Sequence, residues 1–208
     1  MGKNIDKGQT VDLDTGEFDL SNVVIGLGWD IKRQNQGLIG RLFSQKKDDF
    51  DLDVTCFLLN PNGKVGTLGN DKLIGGDVIF FNNMRHVSGS IRLNGDNRSG
   101  AGDGDDEQII ARLSEMDKEI DRLVFVVTIF EGIKKGQHFG TVNNAFIHAT
   151  DANGKEMVRY HLSGSAYHNK RTMLFAEVYR NEGHWNFRAI GEGYEFDSFV
   201  HLLRNYVG

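Results

Sequence analysis

Three features of this 208-residue sequence predict an all-β fold, a two-sheet β-sandwich closed by a short C-terminal helix. Alternating apolar and polar positions, rich in β-branched and aromatic residues, recur from one end to the other; this is the period-2 signature of half-buried strands. Twenty-six glycines stand against a single proline, which suits many tight turns and bulges. Helical periodicity is confined to residues 197–207, where Phe199, Leu202, Leu203 and Tyr206 recur at i, i+3, i+4 and i+7. Many strands at short spacing with almost no helix argue for a sandwich over an α/β fold.

In chain order the strands are expected at residues 9–13, 22–29, 51–59, 77–82, 89–93, 108–113, 122–130, 145–150, 156–162, 172–180 and 185–190. Turn chemistry separates them: Pro61-Asn62-Gly63, Ala152-Asn153-Gly154 and Asn181-Glu182-Gly183 are strong chain-reversal signals. The last of these joins the final two strands as a hairpin. Residues 122–130, RLVFVVTIF, are apolar at successive positions, as befits a central strand covered on both faces. Asp197 or Ser198 supplies an N-cap for the closing helix. Residues 32–49 interrupt the pattern with a polar, basic insertion around Leu38-Ile39 and Leu42-Phe43. It reads as a surface insertion, or as a basic-apolar contact patch for a partner or membrane surface. The whole chain, 1–208, is expected to form one domain.

Composition excludes several classes. A net charge of -5 disfavours a nucleic-acid binder, which would carry a basic face. No apolar run is long enough for a transmembrane segment, and the first residues, MGKNIDKGQTVDLD, are not a signal peptide. The single cysteine, Cys56, cannot form an internal disulfide. A cytoplasmic protein is expected. Cys56 lies in an apolar strand as a small hydrophobe, and the seven histidines are scattered without HxH or HExxH spacing. His148 and His161 read as hydrogen-bonded structural residues of strands. Asp51-Leu-Asp-Val-Thr55 matches the DxDxT of metal-dependent phosphatases. That chemistry wants an apolar strand before the first Asp, whereas the polar KKDDF precedes it. No catalytic constellation stands out, and a non-enzyme is expected.

The charge is concentrated in one place. Between Asp96 and Glu107 the acids Asp96, Asp103, Asp105, Asp106 and Glu107 face only Arg98, so five minus one leaves four of the chain's excess. Carboxylates so close repel one another unless a counter-charge sits among them. Calcium takes about six to eight oxygens at flexible geometry, and Gly100, Gly102 and Gly104 let side chains and carbonyls converge. The loop is not an EF-hand, because Arg98 and Gly100 fall where oxygen ligands should be and Ala101 replaces the required glycine. Asp30 closes one strand, while Asp51 and Asp53 open another and share a face. If those strand ends lie beside the loop, there are ligands for two ions. Asn82 and Asn83 are weaker candidates that equally suit a turn. Two rivals stay open: a metal-free acidic interaction module, and a metal-dependent phosphatase using Asp51 and Asp53.

The chain resembles the TerD family along nearly its whole length. The matching pieces include KGQTVDL at Lys7, VIGLGWD at Val24, FDLDVTCFLLN at Phe50, VIFFNN at Val78 and GDNRSGAGDGDDEQI at Gly95. LVFVVTIFEG at Leu123, FGTVNNAFI at Phe139, RYHLSG at Arg159 and AEVYRNEGHWNFRAIGEGY ending at Tyr194 follow in the same order. The resemblance implies a calcium-binding sandwich linked to tellurite and other chemical stress, binding Ca2+ as two ions. It implies assembly with related stress-response proteins at the inner membrane surface. It carries ligand roles onto Asp96, Asn97, Asp103, Asp105, Asp106 and Glu107, and onto Asp30, Asp51 and Asp53. The stretch between Asp30 and Phe50 is longer than the family's shortest pattern.

Overall fold

The computed structural model describes residues 2–31, 51–96, 105–162 and 165–208. The expected insertion at 32–49, Asn97 and Asp103 lie outside the described residues. Among the described residues twelve strands form two six-stranded sheets, the predicted sandwich. The first sheet contains β1 (Lys3–Ile5), β3 (Val23–Ile31), β6 (Ile91–Asp96), β7 (Glu107–Ala111), β9 (Val142–Thr150) and β10 (Glu156–Leu162) in the order β1-β10-β9-β3-β7-β6. The second contains β2 (Thr10–Asp12), β4 (Leu52–Leu59), β5 (Val78–Ile79), β8 (Arg122–Ile129), β11 (Thr172–Asn181) and β12 (His184–Tyr194) in the order β2-β12-β11-β8-β4-β5. Every pairing is antiparallel except β1 with β10.

The alternation read from the sequence becomes two apolar layers. Ile25 and Leu27 of β3 and Ile147 and Ala149 of β9 face Val54, Cys56, Phe125 and Val127 across the main core. The opposite face of the second sheet carries its own cluster of Phe57, Leu59, Val124, Val126 and Leu174. Helix α2 (Phe199–Leu203) covers it through Leu202 and Leu203, with Ser198 Oγ accepting from the Val200 N–H as N-cap. That cover explains why β8 is apolar on both faces. Burial pushes the Cys56 thiol well above its ordinary range, as expected for a sealed small hydrophobe.

Several boundaries moved for local reasons. The strand expected at 77–82 shrinks to Val78–Ile79 because the chain reverses after Phe80. The Asn83 amide donates to the Gly76 and Val78 carbonyls, so this asparagine is a turn-former. Helix α1 (Gly132–Lys135) is too short for any periodicity to reveal, and β1 is a three-residue strand. The β11–β12 hairpin turns through Glu182 and Gly183, at φ 52° and 88°. Two positive φ values identify the type I′ turn that matches strand twist.

The β9–β10 turn is organised by Asp151, which is buried and accepts from the backbone N–H groups of Asn153, Lys155 and Asp19. Burial works against its charge, but the donors from Lys155, Asp19 and Asn153 win and hold its carboxyl below the usual range. A depressed folded pKa stabilises above the unfolded value and is lost as pH falls through the folded one. Asp151→Ala is therefore expected to cost about 2 kcal/mol at neutral pH. In urea melts the gap to the parent should close as pH falls below about 4.

Candidate calcium-binding rim

The acidic segment returns to the sandwich as the first residues of β7, and β3 decides where they go. Leu27 pairs with Glu107, and Gly26 with Gln108. The Asp106 N–H donates to the Leu27 carbonyl at 2.8 Å, and the Trp29 N–H donates to Asp106 Oδ2 at 3.0 Å. The carboxylate thus continues the ladder where backbone pairing stops. Asp96 stands opposite Glu107 at the end of β6, and Asp30 opposite Asn143 near the start of β9. By backbone register, Asp30, Asp96, Asp106 and Glu107 gather at one rim of the first sheet.

The three consecutive acids point to different surroundings. Asp105 lies over the outer face, where its Oδ1 meets His148 Nε2 at 2.7 Å and its Oδ2 accepts from Gln108 Nε2 at 3.1 Å. His148 Nδ1 is 3.2 Å from Glu156, whose carboxylate also holds Arg159. Burial opposes the charge on Glu156, but Arg159 and His148 hold its pKa down. Gly26 is required beneath this pair, because a Cβ there would collide with the Asp105 carboxylate and the His148 ring. Glu107 is directly opposite the core residue Leu27, so it lies on the inner side of the rim. Asp106 and Glu107 are each only 5% exposed, so two consecutive acids of the segment are buried at this rim.

Asp51 and Asp53 stand in the second sheet. Leu52 and Val54 enter the core, so Asp53 takes the outer face opposite Thr128. The Asp51 carbonyl accepts from the Phe130 N–H. The seven expected ligands among the described residues are therefore divided between the sheets. Among the described residues, no three His, Cys, Asp or Glu side chains already converge as a metal cage. The donor chemistry at the first-sheet rim is all oxygen and anionic, which fits a hard cation such as calcium better than a soft one. His148, expected to be a structural hydrogen-bonding residue, is one, and its partner is Asp105, an expected ligand. His161 is exposed and packs its ring against Phe146.

Fold and rim together define a class: an antiparallel two-layer sandwich that gathers acids from a glycine-rich loop at one sheet end. The chain matches the TerD domain over residues 1–206. It is 53% identical over 213 residues to tellurium resistance protein TerX of Serratia marcescens, covering 100% of both chains. It is 35% identical over 208 residues to stress response protein SCP2 of Bacillus subtilis (strain 168), again covering 100% of both. A solved homologue of telluride resistance protein (TerD) from Streptomyces coelicolor A3(2) superposes with a TM-score of 0.59 at 21% identity, covering 86% of this chain and 94% of that one. The chain belongs to the TerD family of tellurium-resistance and stress proteins. No helix among the described residues is long and apolar enough to cross a membrane.

Proposed function

We propose that the protein is a calcium-binding module of the tellurite and chemical stress response, acting by binding and assembly rather than by catalysis. The observation that carries this reading is the pair of adjacent, buried carboxylates Asp106 and Glu107 at the rim that also receives Asp30 and Asp96. These four, with Asn97 and Asp103 of the loop, would hold the cation. Asp105 would fasten the loop to His148, and Asp51 and Asp53 would serve a second ion. Bound calcium would neutralise the carboxylates and order the loop, preparing a surface for related stress-response proteins in the cytoplasm or at the inner membrane face.

Two observations support a binder over a catalyst. Cys56 is sealed in the core with its thiol pKa raised, unlike an activated nucleophile. Asp51 and Asp53 stand at the beginning of an antiparallel strand, whereas a phosphatase nucleophile needs a strand's carboxyl end.

Thermal melts of the full chain in chelator, calcium and magnesium test the reading. Calcium at about 100 times its dissociation constant is expected to stabilise by about 2.7 kcal/mol, with a smaller response to magnesium. Equal melting in all three would defeat the calcium reading and leave the rim as a metal-free acidic docking surface.

A further inference from the structure

Among the described residues, the outer face of the second sheet is only partly covered. Beyond α2 and the segment that follows β4, it forms an open cavity of about 680 Å³, within the range of small-molecule sites. Its floor is a charged cluster built by strand register. Glu177 of β11 is paired with Arg188 of β12, and neighbouring Tyr179 with Arg122 of β8. Arg122 Nη1 donates to Glu177 Oε2 at 2.9 Å, and Arg188 Nη2 lies 2.6 Å from Glu177 Oε1. Both guanidiniums also lie against the Tyr179 ring, 5.4 and 5.6 Å from its centre.

Three features distinguish this cluster from an ordinary surface ion pair. The Glu177 side chain is 4% exposed, while those of Arg122 and Arg188 are 34% and 44% exposed, so the cations present themselves to the cavity. One arginine would neutralise the carboxylate. With Lys7 and Glu192 also lining the space, three cations meet two anions, a surplus of one positive charge. The Glu177 Oε1 contact with Arg188 is close but lacks the alignment of a hydrogen bond, leaving this buried oxygen without a hydrogen-bond partner. The walls are different in kind. Leu59, Leu174 and Ile190 supply apolar surface, and Tyr206 closes one side. Burial, and then Glu177 and Glu192, raise the Tyr206 pKa, so its hydroxyl remains a donor.

We infer that this cavity binds a small organic anion, a carboxylate or phosphoryl group carried on an apolar or flat body. The Arg122–Arg188 pair takes the charged end, because guanidinium forks match such oxygens bidentately. Ile190, Leu59 and the Tyr206 ring take the body. The site lies on the second sheet and is independent of calcium at the first-sheet rim.

Backbone amide NMR of the full chain, titrated separately with phenyl phosphate, benzoate and inorganic phosphate, tests the assignment. The expected result is saturable shifts at residues 122, 174–179 and 188–192 with phenyl phosphate or benzoate, whichever head group fits, and at least tenfold weaker binding of inorganic phosphate. Arg188→Lys, which keeps the charge but loses the fork, should weaken binding about tenfold. Arg188→Gln removes the charge as well as the fork, leaves Glu177 paired with Arg122, and should weaken it further. Absence of shifts at millimolar probe, shifts centred elsewhere, or unchanged affinity in both variants would overturn the proposal. Equal affinity for inorganic phosphate would overturn the role of the apolar wall.

Discussion

Asp106→Asn should abolish most of the stabilisation by calcium while leaving the calcium-free protein as stable as the parent, or slightly more so. The asparagine side chain keeps an oxygen to accept from the Trp29 N–H, so the local ladder survives. What disappears is the charge of a carboxylate only 5% exposed, whose desolvation works against folding when no cation is present. Removing a charged ligand is expected to weaken calcium binding about a hundredfold. Calcium at about 100 times the parental dissociation constant would then stabilise the variant by about 0.4 kcal/mol rather than about 2.7. Paired melts in chelator and calcium read both halves. A variant that responds to calcium as the parent does would remove Asp106 from the site. One destabilised equally in both conditions would reduce its role to the bond with Trp29.

The second large effect belongs to the core. Phe125 is fully buried at the middle of β8, paired with Cys56 on one side and Ala176 on the other. Those neighbours are small and held in register by two ladders, so the space left by Phe125→Ala cannot readily be filled. A loss of about 3–5 kcal/mol is expected in urea unfolding, a large fraction of an ordinary domain's stability. A loss below about 1 kcal/mol would mean that aromatic side chains of the same core, such as Tyr160 and Phe175, edge-to-face with ring centres 5.9 Å apart, relax into the gap.

The sandwich was legible because its signals are local and repeated. RLVFVVTIF announces a strand with two dry faces, and Glu182-Gly183 announces the hairpin. The acidic segment was legible as a cation candidate from its carboxylates and glycines alone. Partition among those carboxylates was not. Nothing in DGDDE says that Asp105 will meet His148 from a strand forty-three residues on, or that Asp106 will cap the Trp29 amide. Such pairings are set by β3–β7 and β3–β9 register, which is fixed by distant turns and core packing. The Arg122–Glu177–Arg188 cluster was hidden for the same reason. Each residue alone is an ordinary charge in or at the end of a strand, and only β8, β11 and β12 side by side bring them together. Gly26 had a signal, since glycine inside an otherwise apolar strand implies close approach. The residues approaching it belong to other elements.

The first twelve residues have a consequence out of proportion to their length. β1 is the outermost strand of one sheet, and β2 the outermost strand of the other, so one short stretch of chain runs along the same seam of both layers. It works as a selvedge: Val158–Tyr160 of β10 and Asn186–Arg188 of β12, in the strands beneath it, are paired with the chain's own beginning. Peeling that stretch away would bare two unpaired borders at once, one on each layer, and each is a template for strand addition from another molecule. That short segment therefore guards both borders against strand addition from another copy, and it also supplies Lys7 to the wall of the cavity.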